Sequence, residues 1–209
     1  MPRLFVTFEG GEGSGKTTQL ARLAERLRST GLDPVLTREP GGTPLAEGVR
    51  SLLLDSALDT DPMAEVFLME AARADLVAKV IRPALEAGRV VLCDRYADST
   101  LAYQGGGRGI DLELLRVLNR AATSGLVPDL TLLFDVDPKI GLSRRGAEGR
   151  TNRLDREPLA FHERARSQFL TLARAEPERW TVLDAGSAAE PLAERIWARF
   201  QEVAQALRR

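Results

Sequence analysis

Apolar positions along the chain follow two alternating rhythms. Short apolar-rich runs occupy residues 4–8, 34–37, 90–93, 130–135 and 180–184, a length that suits buried parallel strands. Between them the apolar residues recur every three or four positions. Leu20, Leu23, Ala24 and Leu27 form one such stripe, and Phe161, Ala165, Phe169 and Leu172 another. Leu192, Ile196, Phe200, Val203 and Leu207 form a third, expected to face inward. Strands alternating with helices predict a three-layer α/β fold, with a five-stranded parallel sheet covered by helices on both faces. Punctuation places the helix ends. Gly31 is suited to close the first helix in a left-handed conformation. Thr43 and Pro44 cap and start a helix reaching residue 54. Asp61 and Pro62 open another over 63–86, which Pro83 kinks or ends. Further helices are predicted over 111–123, 138–145 and 158–175, and from Pro191 onward. Residues 98–104 continue toward a helix that would put Ser99, Tyr103 and Gln104 on one face. The glycine-rich stretch 105–109 reads as a flexible break. No repeat, low-complexity segment or linker interrupts residues 1–209, which read as one domain.

Composition narrows the function. A chain of 209 residues can bury a sizeable core. Its formal net charge of −1 supplies no pull toward nucleic acid or an anionic membrane, and neither partner is expected. Cys93 is the sole cysteine, so no intrachain disulfide forms, and its apolar neighbours make it a small buried hydrophobe. His162 is the sole histidine, which excludes a Cys/His zinc cluster and a Ser-His-Asp triad. It lies off the Phe161 stripe and reads as structural or exposed. No run of about 18 apolar residues is present to span a bilayer. The first strand begins too early to leave room for a signal peptide, so a cytoplasmic location is expected.

The chemistry concentrates in one stretch. Gly10, Gly11, Glu12, Gly13, Ser14, Gly15, Lys16, Thr17 and Thr18 lie between the first strand and the first helix. Strand, glycine-rich turn, Gly-Lys-Thr and helix form a phosphate-binding loop in its diagnostic context. The glycines let successive N–H groups turn toward phosphate oxygens, and the helix start adds its positive end. Lys16 can reach the β- and γ-phosphates and Thr17 can offer its hydroxyl to Mg²⁺. The loop therefore predicts binding of a nucleoside triphosphate with Mg²⁺, without naming the acceptor. Three other segments end at the same rim of such a sheet. Residues 38–44, with two prolines and two glycines, form a shaped loop. Asp94 and Arg95 follow the third strand, where a carboxylate suits the metal and an arginine can clamp a phosphate. Glycines and clustered arginines over 144–153 suggest a mobile lid, although a solvated charged loop has the same composition. Within the 63–86 helix, Phe67 reads as core and Arg73 as a solvated surface charge.

These segments together resemble the thymidylate kinase family. The matching residues are 8–18, then 38–44 with Glu47 and Arg50 after them. The most specific match is Asp94, Arg95 and Tyr96 followed by Ser99, Ala102, Tyr103 and Gln104. The resemblance runs at least to the helix after Pro158. It implies a P-loop, nucleoside monophosphate kinase fold, usually a homodimer, that moves the γ-phosphoryl group of ATP to dTMP with Mg²⁺. By position, Lys16 and Thr17 would hold the ATP phosphates and metal, with Asp94 and Glu9 also serving the metal. Glu12 would meet the 3′-hydroxyl of dTMP. Phe67 would stack on thymine and Arg73 would bond a thymine carbonyl, against the ordinary readings above. Ser99 and Gln104 would read the base edge, and Tyr103 would lie where a 2′-hydroxyl would be. Arg95 would bind the acceptor phosphate, with Arg38 and Arg50 in support. The phosphate loop contains no basic residue at 11–14, which implies the family variant with a catalytic arginine in the lid, at about 144–156. Arg144 and Arg153 match lid positions best. A further lid arginine of the family falls on Glu148 here, leaving Arg145 or Arg150 to replace it. Rival readings are a deoxynucleoside kinase, an adenylate-type kinase and a nucleotide-dependent switch.

Overall fold

The computed structural model describes residues 3–55, 57–147, 149 and 151–207. Its strands are β1 (Leu4–Gly10), β2 (Val35–Arg38), β3 (Val90–Asp94), β4 (Leu130–Asp135) and β5 (Trp180–Asp184). They form one sheet in the order β2-β3-β1-β4-β5, with every neighbouring pair parallel. The helices are α1 (Lys16–Ser29), α2 (Pro44–Leu54), α3 (Pro62–Leu76), α4 (Arg82–Glu86), α5 (Ala97–Thr100), α6 (Leu112–Thr123), α7 (Pro138–Ala147), α8 (Leu159–Ala175) and α9 (Ala189–Ala206).

Side chains alternate across a strand, and β1 uses both faces. Leu4, Val6 and Phe8 pack with Leu20, Leu23 and Leu27 of α1 and with Leu192, Ile196 and Phe200 of α9. Phe5 turns the other way, onto Leu76 of α3, Leu85 of α4 and the chain between them. On that same side Leu133 and Trp180 pack with the α8 stripe Phe161, Ala165, Phe169 and Leu172. Helices thus cover both faces of a five-stranded parallel sheet, as the pattern predicts. Cys93 is buried.

The expected caps form. Gly31 has φ +82°, with its N–H bonded to Arg28 O (2.9 Å) and the Leu32 N–H to Leu27 O (3.1 Å), closing α1. Thr43 Oγ1 accepts from the Ala46 N–H (3.2 Å) ahead of α2. Asp61 accepts from the Met63 N–H (2.8 Å) ahead of α3. The helix expected over 63–86 is helical throughout, but a π turn at Val77–Ile81 separates α3 from α4. There the Arg82 N–H reaches back to Val77 O. The wide turn lies directly before Pro83, which has no N–H for the regular ladder and whose ring crowds the preceding turn.

Two expectations fail. The 105–109 stretch is no flexible break: Gly105–Gly107 continue a second π segment, Leu101–Gly107. Its glycines permit close packing, since a Cβ on Gly106 would lie 2.6 Å from Gln168 Cβ on α8, and one on Gly107 would lie 2.5 Å from the Phe161 ring. Leu207 is 48 % exposed rather than inward, because α9 ends at Ala206 and the buried position of its last turn is Ala204.

Candidate active site

β1 delivers the chain to the phosphate loop and α1 takes it away. Gly10, Gly13 and Gly15 have φ of +135°, +63° and +84°, conformations that side chains rarely adopt. A Cβ on Gly10 would strike the Phe134 carbonyl of β4, and one on Gly13 the Gly141 carbonyl of α7. The loop is therefore clasped between β4 and α7. Lys16 Nζ donates to Gly10 O (3.0 Å), Gly11 O (2.7 Å) and Ser14 Oγ (3.2 Å). Burial, reinforced by Arg95, pushes its pKa down to about 8 against the pull of Glu12, Asp94 and Glu9.

Thr17, the first α1 residue after Lys16, donates its hydroxyl to Asp94 Oδ2 (2.8 Å) at the end of β3. A hydroxyl beside one carboxylate is a hard-oxygen donor set that fits Mg²⁺, which keeps one or two protein carboxylates and takes phosphate oxygens for the rest. Among the described residues no group of three or more His, Cys, Asp or Glu gathers to form a cage for a metal. Glu9, expected at the metal, is buried with its oxygens taking the Tyr96 N–H (2.8 Å) and the Ser99 hydroxyl (2.6 Å). Burial and the nearby Asp98 push it up to about 8.

Arg95 follows β3 with φ +70°, a backbone state uncommon outside glycine and concentrated at functional sites. That turn aims its guanidinium at Glu12 Oε1 and at Ser99 Oγ (3.3 Å), and lays it over the Tyr103 ring (5.0 Å). The Tyr103 hydroxyl faces Glu12 Oε1 at 3.4 Å. Burial alone would raise the Glu12 pKa, but Arg95, Lys16 and Arg145 outweigh it and bring it down to about 2.

Two cavities meet here. The larger, about 740 Å³, follows the loop from Glu12 to Thr18 and is closed by Arg38, Glu39, Arg50, Asp94, Arg95 and Arg145. The smaller, about 90 Å³, is part apolar, with Pro40, Leu53, Leu54 and Met69 on one side and Ser99, Tyr103 and Gln104 on the other. Glu12, Glu39, Arg50, Arg95 and Arg145 line both. Gln104 donates its Nε2 to Glu65 Oε1 (2.7 Å), while its buried Oε1 has no hydrogen-bond partner among the described residues. Arg50 braces the Pro40 carbonyl (3.0 Å), and Arg38 bonds both Glu47 oxygens (2.9 and 3.0 Å).

Three expected positions need correction. Phe67 is 57 % exposed and lines neither cavity. Glu65 and Met69, one turn apart, carry the cavity face of α3, and a residue two positions from each points about 200° round the helix. Met69 is the α3 side chain at that wall. Arg73 is neither solvated nor at the cavity. It is fully buried, and its N–H groups go to Glu39 Oε2 (2.9 and 2.7 Å), Glu70 Oε1 (2.6 Å), Asn119 Oδ1 (2.7 Å) and Tyr96 O (3.3 Å). Those five contacts use every guanidinium donor. Arg144 donates to Ala185 O (3.2 Å) and to Gly13 O of the phosphate loop (3.5 Å) and lines neither cavity, whereas Arg145 borders both, with its Nε 3.5 Å from Asp155 Oδ2. Arg150 and Glu148 lie outside the described residues. Arg153 donates to Leu53 O (3.1 Å) and pairs with Glu65, which Arg108 also holds (3.1 Å). Met69 and Glu65 were discoverable from helix spacing alone. The burial of Arg73 was not, because three of its partners, Glu39, Tyr96 and Asn119, come from segments distant in the sequence.

A family model described as Thymidylate kinase matches residues 8–196. A thymidylate kinase of Deinococcus radiodurans is 54 % identical over 199 residues, covering 95 % of this chain and 97 % of the relative. One of Thermomicrobium roseum is 54 % identical over 207 residues, covering 98 % of each. The crystal structure of a thymidylate kinase from Ehrlichia chaffeensis superposes with a TM-score of 0.79 at 36 % identity, over 96 % of this chain and 99 % of that one. With the phosphate loop, the Arg95 turn and the paired cavities in place, these matches put the chain in the thymidylate kinase family.

Proposed function

We propose that this chain transfers the γ-phosphoryl group of ATP to dTMP, giving ADP and dTDP. The observation that carries the reading is the wall shared by the two cavities, where Glu12, Arg95 and Arg145 stand between a phosphate loop and a part-apolar pocket. ATP would lie along residues 10–18, its phosphates on the loop N–H groups and Lys16. Thr17 and Asp94 would hold Mg²⁺, which when bound offsets charge on the β- and γ-phosphates. The oxygens of Glu9 already accept from Tyr96 and Ser99, so Glu9 would support the Arg95 shelf through Ser99.

dTMP would enter the smaller cavity with its base against Met69, Leu53 and Leu54. The unpartnered Gln104 carbonyl suits the one N–H of a thymine ring, an acceptor that would otherwise stay unmade. Tyr103 beside Glu12 favours a sugar without a 2′-hydroxyl and gives the 3′-hydroxyl a carboxylate partner. Arg95, with Arg50 in support, would hold the attacking phosphate in line with ATP. No general base is needed, since a phosphate monoester is largely ionised near neutral pH. Arg145, at the seam, takes the catalytic position in the lid in place of Arg144.

The reading includes a homodimer acting in the cytoplasm. α3 and α6 pack together and leave Phe67, Leu114 and Val117 exposed, an apolar face for a second copy. Sedimentation at twice 22.9 kDa is the expected result. No helix among the described residues is long and apolar enough to cross a membrane. A coupled assay with ATP and a panel of nucleosides and monophosphates tests the activity. dTMP should be the preferred acceptor, and Arg145→Ala should lower kcat about 10²-fold while Arg144→Ala does less. Preference for a nucleoside, or ATP hydrolysis indifferent to dTMP, would reject it.

A further inference from the structure

Behind the phosphate loop lies a group that the scheme above does not use. His162, in the first turns of α8, is buried, and its Nε2 has no hydrogen-bond partner among the described residues. It borders a cavity of about 20 Å³ whose wall includes Gly10, Gly11 and Glu12. Asp135 and Arg166 are there too, paired with each other at 2.6 Å. The imidazole is edge-on to Phe161 (5.3 Å), which packs in turn against Tyr103 (6.0 Å). Three carboxylates act on it: Glu12 from the phosphate loop, and Asp155 and Glu157 from the segment leading into α8.

Asp155 carries the second unpaired atom. Its Oδ2 accepts from the Asn152 N–H (2.7 Å) and faces Arg145 Nε, while its Oδ1 is buried without a partner among the described residues. Buried polar atoms are rarely left unpaired, and two in one neighbourhood point to an arrangement completed in another state of the molecule. We propose that His162 is a positioning residue for phosphoryl transfer: with both nucleotides bound its Nε2–H donates to Asp155 Oδ1, fixing a carboxylate that helps hold Arg145 at the seam of the two cavities. Burial keeps the imidazole pKa low beforehand. Polyanionic phosphates arriving beside Glu12 favour a proton taken from solvent, which makes both ring nitrogens donors. One then keeps the hydrogen bond that His162 already makes to the Glu157 backbone, and the other meets Asp155.

This rests on the reading of Arg145 above, and the test separates the two. Turnover, KM and Tm are compared for the wild type, His162→Phe, His162→Asn and His162→Gln. Phe keeps the ring volume without a donor, Asn places an amide near Nδ1 and Gln near Nε2. His162→Phe should lower kcat about tenfold with both KM values within twofold, an effect of misplacing a group at the reacting centre. Gln should recover most of the loss and Asn little of it. In an Arg145→Lys background the same change should cost almost nothing more, because the two act as one unit. Unchanged kcat in His162→Phe, equal recovery by Asn and Gln, or full additivity with Arg145→Lys would overturn the proposal. Should the Phe variant fail to fold, the Asn and Gln pair decides alone. A wild type inactive on dTMP rejects the parent reading, whereas normal turnover indifferent to residue 162 rejects only this one.

Discussion

Lys16 occupies a place that works against its own charge. It is buried, faces Arg95, and is held by carbonyls that cannot neutralise it. Its pKa of about 8 means that near pH 8 about half of the free protein carries a neutral amine there. Under the proposed reading a bound triphosphate would add counter-charge and return the lysine toward its ordinary range. A group whose pKa rises on binding takes up protons at pH values between the free and bound pKa. Binding of ATP alone should therefore take up about half a proton at pH 8, more at pH 9 and little by pH 7. The phosphate's own ionisation, near pH 6, is complete in that window. Calorimetry in two buffers of different ionisation enthalpy reads the number directly. No uptake at pH 8–9 would mean that the lysine is already charged in the free protein. The sequence made this residue easy to find, since glycines, Gly-Lys-Thr and both flanks are local. Arg73 was the opposite case. Its charge suggested solvent, yet Glu39 and Asn119 from separate segments join Glu70 of the same helix to make a buried ion cluster. Glu70 at i−3 is the sole local partner, and an i,i+3 ion pair is as common on a solvated face, so it does not signal the convergence.

At the scale of elements, local chemistry was a sound guide to strands and caps and a poor one to glycines. A run of Gly105, Gly106 and Gly107 has the composition of a flexible connector. What it provides is closeness: the π segment Leu101–Gly107 lies against α8 with no room for a Cβ. Tyr103 and Gln104 are carried on that segment, so the packing fixes two walls of the smaller cavity. Gly106→Ala would put a methyl 2.6 Å from Gln168 Cβ and 3.1 Å from the Arg164 carbonyl. Backbone cannot swing aside as a side-chain tip can, so the change should lower stability by about 1–3 kcal/mol and raise KM for dTMP. Gly48→Ala, in α2 with open space around it, should instead gain about 0.5–1 kcal/mol from reduced backbone freedom. Denaturant titration compares the two. Equal effects would mean that residue 106 is a glycine for some reason other than contact with α8. Phe67 teaches the same lesson in a helix: its residue type suits a stacking wall, but the Glu65–Met69 face of α3 excludes it from that wall.

The arrangement of the whole molecule was legible in outline, because a parallel sheet gathers its strand ends at one rim and every candidate segment followed a strand. What spacing could not reveal was how the arginine-rich segment that begins in α7 meets the body. Its arginines are alike in sequence and differ only in where they land. Arg145 reaches the seam, Arg144 the β5 end, and Arg153 crosses to the smaller cavity, tying residues after α7 to Leu53 at the end of α2 and Glu65 on α3. Glu65 is nearly fully buried and shared with Arg108 and Gln104, so Arg153 closes a polar cluster at the wall of the smaller cavity. The lid match alone would make Arg153 a stabiliser of the transferring phosphoryl group, whereas its contacts put it at the wall of the smaller cavity, which under the proposed reading would make it a latch on the acceptor. The two roles separate in kinetics. Losing one charged hydrogen bond at a latch should raise KM for dTMP about tenfold, with KM for ATP and kcat changing much less, because a wall that shapes the acceptor pocket would serve ground and transition states equally. Arg153→Gln keeps the length and loses the charge, and steady-state kinetics with each substrate varied gives all three constants. A fall in kcat without a rise in KM for dTMP would return Arg153 to the transfer step and leave Glu65 as a merely structural partner.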